Sequence, residues 1–209
     1  MRVFGHGTDE DINTLASFAR VLALGVDGVE LDVRRTADDK LAVTHDPVGQ
    51  SPFGALRVPS LAEALDACAG VTVNIEIKNF PRDPDFDPGQ RVTDLVLELL
   101  GARGGSDDVL ISCFDGACLR RCTGVPTALL MLSRRPPSEL LYGEFEIVHP
   151  YDSMVDEQFM DEARKRRLTV NVWTGEDESL ERMSELAALG VDGIITSAPE
   201  VALAARSQR

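Results

Sequence analysis

Val29-Glu30-Leu31-Asp32-Val33-Arg34-Arg35-Thr36-Ala37-Asp38-Asp39-Lys40-Leu41-Ala42-Val43-Thr44-His45 is the stretch that decides the fold. Its two ends, 29–34 and 41–45, are rich in strand formers, and the link between them is polar. A parallel crossover needs a dozen or more residues; the link is shorter, so the pattern predicts an antiparallel hairpin. Outward from this hairpin, further strand-like runs fall at 3–6, 71–78, 109–114, 128–132, 146–149, 169–173 and 193–196. Helical periods fall between them, at 13–24, 61–69, 89–102, 115–121, 156–167, 177–189 and 199–206. With the returning hairpin strand set aside, eight strands remain, most of them separated by helices. Such alternation predicts an α/β protein, a closed (β/α)8 TIM barrel with a small antiparallel hairpin after its second strand. An open doubly wound sheet is the alternative arrangement of the same elements.

Local signals agree with these boundaries. Ser60 and Glu63 form a capping-box pattern, and Asp156 and Asp177 are expected in the first turns of their helices. Gly25 and Gly190 follow apolar helical runs, where a left-handed stop is needed. The segments 24–30 and 189–195 read alike, as two helix–Gly–strand junctions would. No linker or low-complexity stretch interrupts the sequence, and 1–209 is expected to form one domain.

The 209 residues are long enough for a sizeable core without disulfides or a structural metal. Thirty-five acidic against 21 basic residues leave a net charge of −14, which repels nucleic acid and anionic membranes. No apolar run is long enough to cross a membrane, so no membrane insertion is expected. Cys68, Cys113, Cys118 and Cys122 match neither a disulfide framework nor a zinc pattern. With no apolar leader before Met1-Arg2-Val3-Phe4-Gly5-His6, a reducing cytoplasm is the expected setting.

In a barrel the working residues sit at the C-terminal ends of the strands. Side chains alternate along a strand, so Glu30 and Asp32 share one face, and Asn74, Glu76 and Lys78 share another. Strands covered by helices on both sides are normally apolar, so these polar residues need partners inside. Converging Glu30, Asp32 and Glu76 carboxylates would repel, and a hard divalent cation, Mg²⁺ or Ca²⁺, relieves that repulsion. The rival arrangement is a Glu76–Lys78 salt bridge with no metal. His6 and His45 fall at strand ends beside the cluster and can divide general acid and general base work. His149, also at a strand end, is read as pocket lining or structural. Asp46 is either a turn initiator before Pro47 or an orienter of His45. The basic run 164–167 is read as a solvated helix end that complements the dipole.

These residues bring out a resemblance to the glycerophosphodiester phosphodiesterase family. Asn13-Thr14, Gly25-Val26-Asp27-Gly28-Val29-Glu30-Leu31-Asp32-Val33, Thr36 and Val43-Thr44-His45-Asp46 resemble its signature, and Asn74-Ile75-Glu76-Ile77-Lys78 resembles its N-x-E-x-K strand. Val58-Pro59-Ser60-Leu61-Ala62-Glu63, Val172-Trp173-Thr174 and Gly190-Val191-Asp192-Gly193-Ile194-Ile195-Thr196 extend the likeness over essentially the whole chain. The resemblance implies that Glu30, Asp32 and Glu76 hold one divalent metal and that His6 and His45 are the acid–base pair. It further implies that Lys78 contacts phosphate and that Trp173 walls the pocket. The chain departs from the family at three points. His6-Gly7-Thr8 stands where His-Arg-Gly is usual, Ile12 where a Glu is usual, and Ser197 where Asp is frequent.

The expected function is therefore metal-dependent hydrolysis of a small glycerophosphodiester to glycerol 3-phosphate and an alcohol. The segment between Pro47 and Val58 leaves little material for a lid or lipid anchor, so a small soluble substrate is expected rather than a membrane phospholipid. The missing arginine carries the alternative, a catalytically weak phosphodiester-binding barrel, because lysine replaces its forked grip on phosphate poorly. A metal-dependent lyase acting on a carboxylate substrate is a third reading, opposed by the pair of strand-end histidines.

Overall fold

Nine strands join in one sheet: β1 (Arg2–Gly5), β2 (Gly28–Arg35), β3 (Leu41–Val43), β4 (Thr72–Ile77), β5 (Val109–Cys113), β6 (Thr127–Met131), β7 (Ile147–Pro150), β8 (Thr169–Trp173) and β9 (Gly193–Thr196). The structure, a computed structural model, describes residues 1–7, 11–105, 107–132 and 144–208. The strand order is β1-β9-β8-β7-β6-β5-β4-β2-β3, and β1 pairs with β2 as well, which closes eight parallel strands into a barrel. The predicted hairpin is present: β3 pairs antiparallel with β2, from Val33 opposite Val43 to Arg35 opposite Leu41.

The helices are α1 (Leu15–Ala23), α2 (Leu61–Ala67), α3 (Arg91–Ala102), α4 (Gly116–Arg121), α5 (Glu157–Arg166), α6 (Leu180–Leu189) and α7 (Pro199–Ser207). All seven fall where the sequence period put them, and their caps say why they start there. Ser60 and Glu63 exchange the two hydrogen bonds of a capping box, and Asp156 caps α5 by accepting from the Phe159 amide. Asp177 departs from expectation. The cap of α6 is Ser179, and Asp177 lies ahead of the helix, accepting from the Ser179 amide at 3.0 Å. Gly190 ends α6 at φ 87°, and Gly25 turns the chain after α1 at φ 78°.

The parallel registers fix what fills the barrel. Stepping around it with the pairings observed, inward side chains fall in rings contributed by alternate strands. A lower ring holds Phe4, Asn74, Ala128 and Asn171, and the middle ring holds Glu30, Ser112, His149 and Ile195. The upper ring holds His6, Glu76, Leu130 and Trp173. The opposite faces, Leu31, Val33, Ile75, Ile77, Ile111, Val148, Val172 and Ile194 among them, pack under the helices and form the apolar core. The barrel strands are thus buried on both faces, one largely apolar and the other carrying the polar groups together with Phe4, Ala128, Leu130 and Ile195. Beneath the lower ring Gly28 makes room for the Phe4 ring, because a Cβ there would stand 2.5 Å from Phe4 Cδ1.

Candidate active site

The upper end of β2 and the adjacent β4 supply three carboxylates. One oxygen from each of Glu30, Asp32 and Glu76 lies within 4.8 Å of the others, and all three residues are buried. Their positions follow from the register, which sets Glu30 opposite Asn74 and Asp32 opposite Glu76. Burial raises the Glu76 pKa to about 8; Lys78 opposes the rise, and the Asp32 and Glu30 charges add to it. Glu30 is raised by burial and by Asp32, against the hydrogen bond from His6. Lys78 Nζ lies 2.7 Å from Glu76 Oε1 and 3.3 Å from Asp32 Oδ1. Burial alone would lower the Lys78 pKa, but Glu76 and Asp32 outweigh it and raise it. The expected rival salt bridge therefore exists, yet a single ammonium faces three carboxylates. The donor set, all oxygen and short of positive charge, fits a hard divalent cation.

His6 follows β1, its amide held by the Thr196 carbonyl at 3.3 Å, and its Nδ1 sits 3.1 Å from Glu30 Oε2. Burial pulls its pKa down, but the hydrogen bond and charge of Glu30 raise it overall. His45 lies just beyond β3, with its side chain more than half exposed and Nδ1 3.3 Å from Asp46 Oδ1. His6, Glu30, Asp32, His45, Glu76, Lys78 and Trp173 all line one cavity of about 350 Å³. The seven residues singled out from sequence are thus brought together. His149 is not among the residues lining it. It is fully buried in the middle ring, its Nε2 3.1 Å from Asn171 Nδ2, and burial holds its pKa down to about 3.

Three residues were missed. Asn13, in the left-handed region at φ 63°, donates Nδ2 to Asp32 Oδ2 at 2.8 Å and accepts the Asp32 amide at 2.9 Å. Arg34, almost wholly buried, donates Nε to the His45 carbonyl at 2.8 Å, and its other nitrogens lie 2.9 Å from Asp83 and Asp85. Its signal was available: an arginine on the inward face of a buried strand, two residues after Asp32. Glu178 accepts from Thr174 Oγ1 at 2.6 Å, Thr196 Oγ1 at 2.5 Å, the Ser197 amide at 2.9 Å and Ser197 Oγ. It places a carboxylate beside the position where Ser197 departs from the family pattern.

A closed parallel barrel with its titratable groups massed at the C-terminal ends of its strands is the architecture of a barrel enzyme. The sequence matches the model of the glycerophosphoryl diester phosphodiesterase family over residues 5–51 and 48–201, and the chain belongs to that family. It is an enzyme of the phosphodiesterase class. A glycerophosphodiester phosphodiesterase of Caldanaerobacter subterraneus subsp. tengcongensis is 28% identical over 224 residues, 90% of this chain and 89% of the relative. In fold, the chain is similar to a glycerophosphodiester phosphodiesterase of Parabacteroides distasonis, at 22% identity and a TM-score of 0.79, covering 99% and 97% of the two chains. A phosphodiesterase of Oleispira antarctica, solved with its product sn-glycerol-3-phosphate, is alike at 17% identity and a TM-score of 0.83, over 99% and 97%.

Proposed function

We propose that this protein hydrolyses a small glycerophosphodiester to glycerol 3-phosphate and an alcohol, using one divalent cation and two histidines. The observation that carries the reading is the trio Glu30, Asp32 and Glu76 within 4.8 Å, sharing a cavity with His6, His45 and Lys78. The trio would hold Mg²⁺ or Ca²⁺, which when bound supplies Lewis-acid charge to a phosphoryl oxygen. Lys78 offers the phosphate a second positive contact and lowers the cost of charge building on its oxygens. Of His6 and His45, one takes the proton of the attacking hydroxyl and the other returns a proton to the departing alkoxide. Trp173 forms an apolar wall that excludes water from one side of the reacting centre. Four free, buried cysteines fit a reducing compartment, and we place the reaction in the cytoplasm, in the turnover of lipid-derived diesters.

The experiment is release of glycerol 3-phosphate from glycerophosphoethanolamine, with and without chelator, in wild type and Glu76→Ala. Loss of release in chelator and in the variant is the expected result. Full activity in either would sink the scheme. One observation favours a second reading, a barrel that binds phosphodiesters but turns them over weakly. Lys78 is the only lysine or arginine among the described residues lining the cavity, and Gly7 stands where the family's arginine is usual. Ligand-dependent melting shifts with no product at any metal concentration would favour that reading.

A further inference from the structure

The cavity has a second lobe. About 270 Å³ opens from the first beside His45 and Lys78, between the ends of β4, β5 and β6, and the two lobes share Glu76, Phe114 and Leu132 as well. Pro47, Phe80, Phe114 and Leu132 form its apolar wall. Phe80 meets Phe114 edge-on at 6.5 Å, and Phe114 meets Trp173 edge-on at 6.2 Å, so the wall runs unbroken into the catalytic lobe. Phe80 and Leu132 are 41% and 59% exposed, though each is a large apolar side chain. Among the described residues, the polar groups lining the lobe besides His45, Glu76 and Lys78 of the catalytic lobe are paired with one another or with the chain around them. Arg34 is held by Asp83, Asp85 and the His45 carbonyl, and the Asn79 amide bonds Asp87 and Gln90. A hydroxylated or charged arm entering here would give up water for few new partners, whereas an apolar arm would cover exposed rings.

We infer that this lobe is the subsite for the leaving alcohol, and that the alcohol it takes is apolar, an alkyl or aryl group. The inference rests on the phosphodiesterase reading above. In net balance one water is consumed: its oxygen ends on phosphorus, and the bond from phosphorus to the apolar alcohol's oxygen breaks. One proton from that water ends on the released alcohol, so glycerol 3-phosphate and the free alcohol account for all atoms.

The test is kcat/KM across the ethanolamine, ethyl, butyl, hexyl and phenyl esters of glycerol phosphate, in wild type, Phe80→Ser and Leu132→Ser. Both positions are partly exposed, so the variants are expected to fold. In wild type, each methylene that reaches the wall should raise kcat/KM roughly threefold to fourfold. The ethanolamine ester should fall below the butyl ester, and the slope with chain length should flatten in both variants. A flat wild-type series, an ethanolamine ester that outpaces the butyl ester, or a slope untouched by either variant overturns the subsite while leaving the phosphodiesterase reading intact. No turnover of any ester overturns both.

Discussion

Asn13 illustrates how much a single side chain can do here without touching the chemistry. Its amide grips both the carboxylate and the backbone of Asp32, so it sets where one of the three acidic oxygens points. Replacing Asn13 by glycine keeps the left-handed backbone and removes only the amide. Affinity for Mg²⁺ or Ca²⁺ should fall about ten- to a hundredfold, as it does when supporting partners of metal ligands are lost. Titration calorimetry reads this directly, with circular dichroism as the check on folding. His149 makes a different prediction. Burial depresses its pKa to about 3, so the unfolded chain binds its proton first as pH falls through 6.5. The stability His149 contributes is present above pH 6.5 and is lost toward pH 3, at about 1.4 kcal/mol per pH unit. In urea unfolding at pH 7, 6 and 5, the stability of wild type relative to His149→Leu should fall step by step, since the other titrating groups are common to both.

At the scale of elements, the β2–β3 hairpin brings His45 to the site, and Arg34 holds it there. Its guanidinium spans the loop after β3 and the loop after β4, where Asp85 also accepts the Val48 amide at 2.9 Å. Arg34→Met would leave the Asp85 carboxylate, 5% exposed, without its charge partner. A loss of about 3–5 kcal/mol is expected, read from the urea midpoint. Gly28 tests the closing of the barrel itself. A Cβ there would meet Phe4 and the Thr72 carbonyl oxygen at 2.6 Å or less, and backbone cannot swing aside. Gly28→Ala should cost about 1–3 kcal/mol, seen as a lower melting temperature. Strands and helices were legible because period and capping are local properties. The period-two spacing after Asp32 put Arg34 on the inward face, but its partners, like those of Asn13 and Glu178, come from other elements, and no spacing along the chain encodes those contacts.

For the whole molecule, the metal site couples stability to pH. Glu76 ionises at about 8 in the folded state against about 4.5 unfolded, so its contribution is full below pH 4.5 and is lost as pH rises through 8. Below pH 6.5 the His149 contribution opposes this one, so without metal the melting temperature should fall between pH 6.5 and 8. A divalent cation at a hundredfold excess over its dissociation constant should return about 2.7 kcal/mol. Calorimetry in chelator and in Mg²⁺ or Ca²⁺ checks both, and a melting temperature that ignores both pH and metal would remove the ion from the scheme.

The sequence alone determined the eight strands, the seven helices that separate most of them, the hairpin return and the shared faces of Glu30 with Asp32 and of Asn74, Glu76 and Lys78, because alternation and helical period depend only on neighbours along the chain. It also nominated His6, His45, Glu30, Asp32, Glu76, Lys78 and Trp173. Only the tertiary structure decided that these seven share one cavity, that His149 is buried in the barrel without lining it, and that an apolar lobe opens beside His45. The reason is geometric. The barrel's register converts a position within a strand into a height on a common axis, and that height exists only once the eight strands have closed.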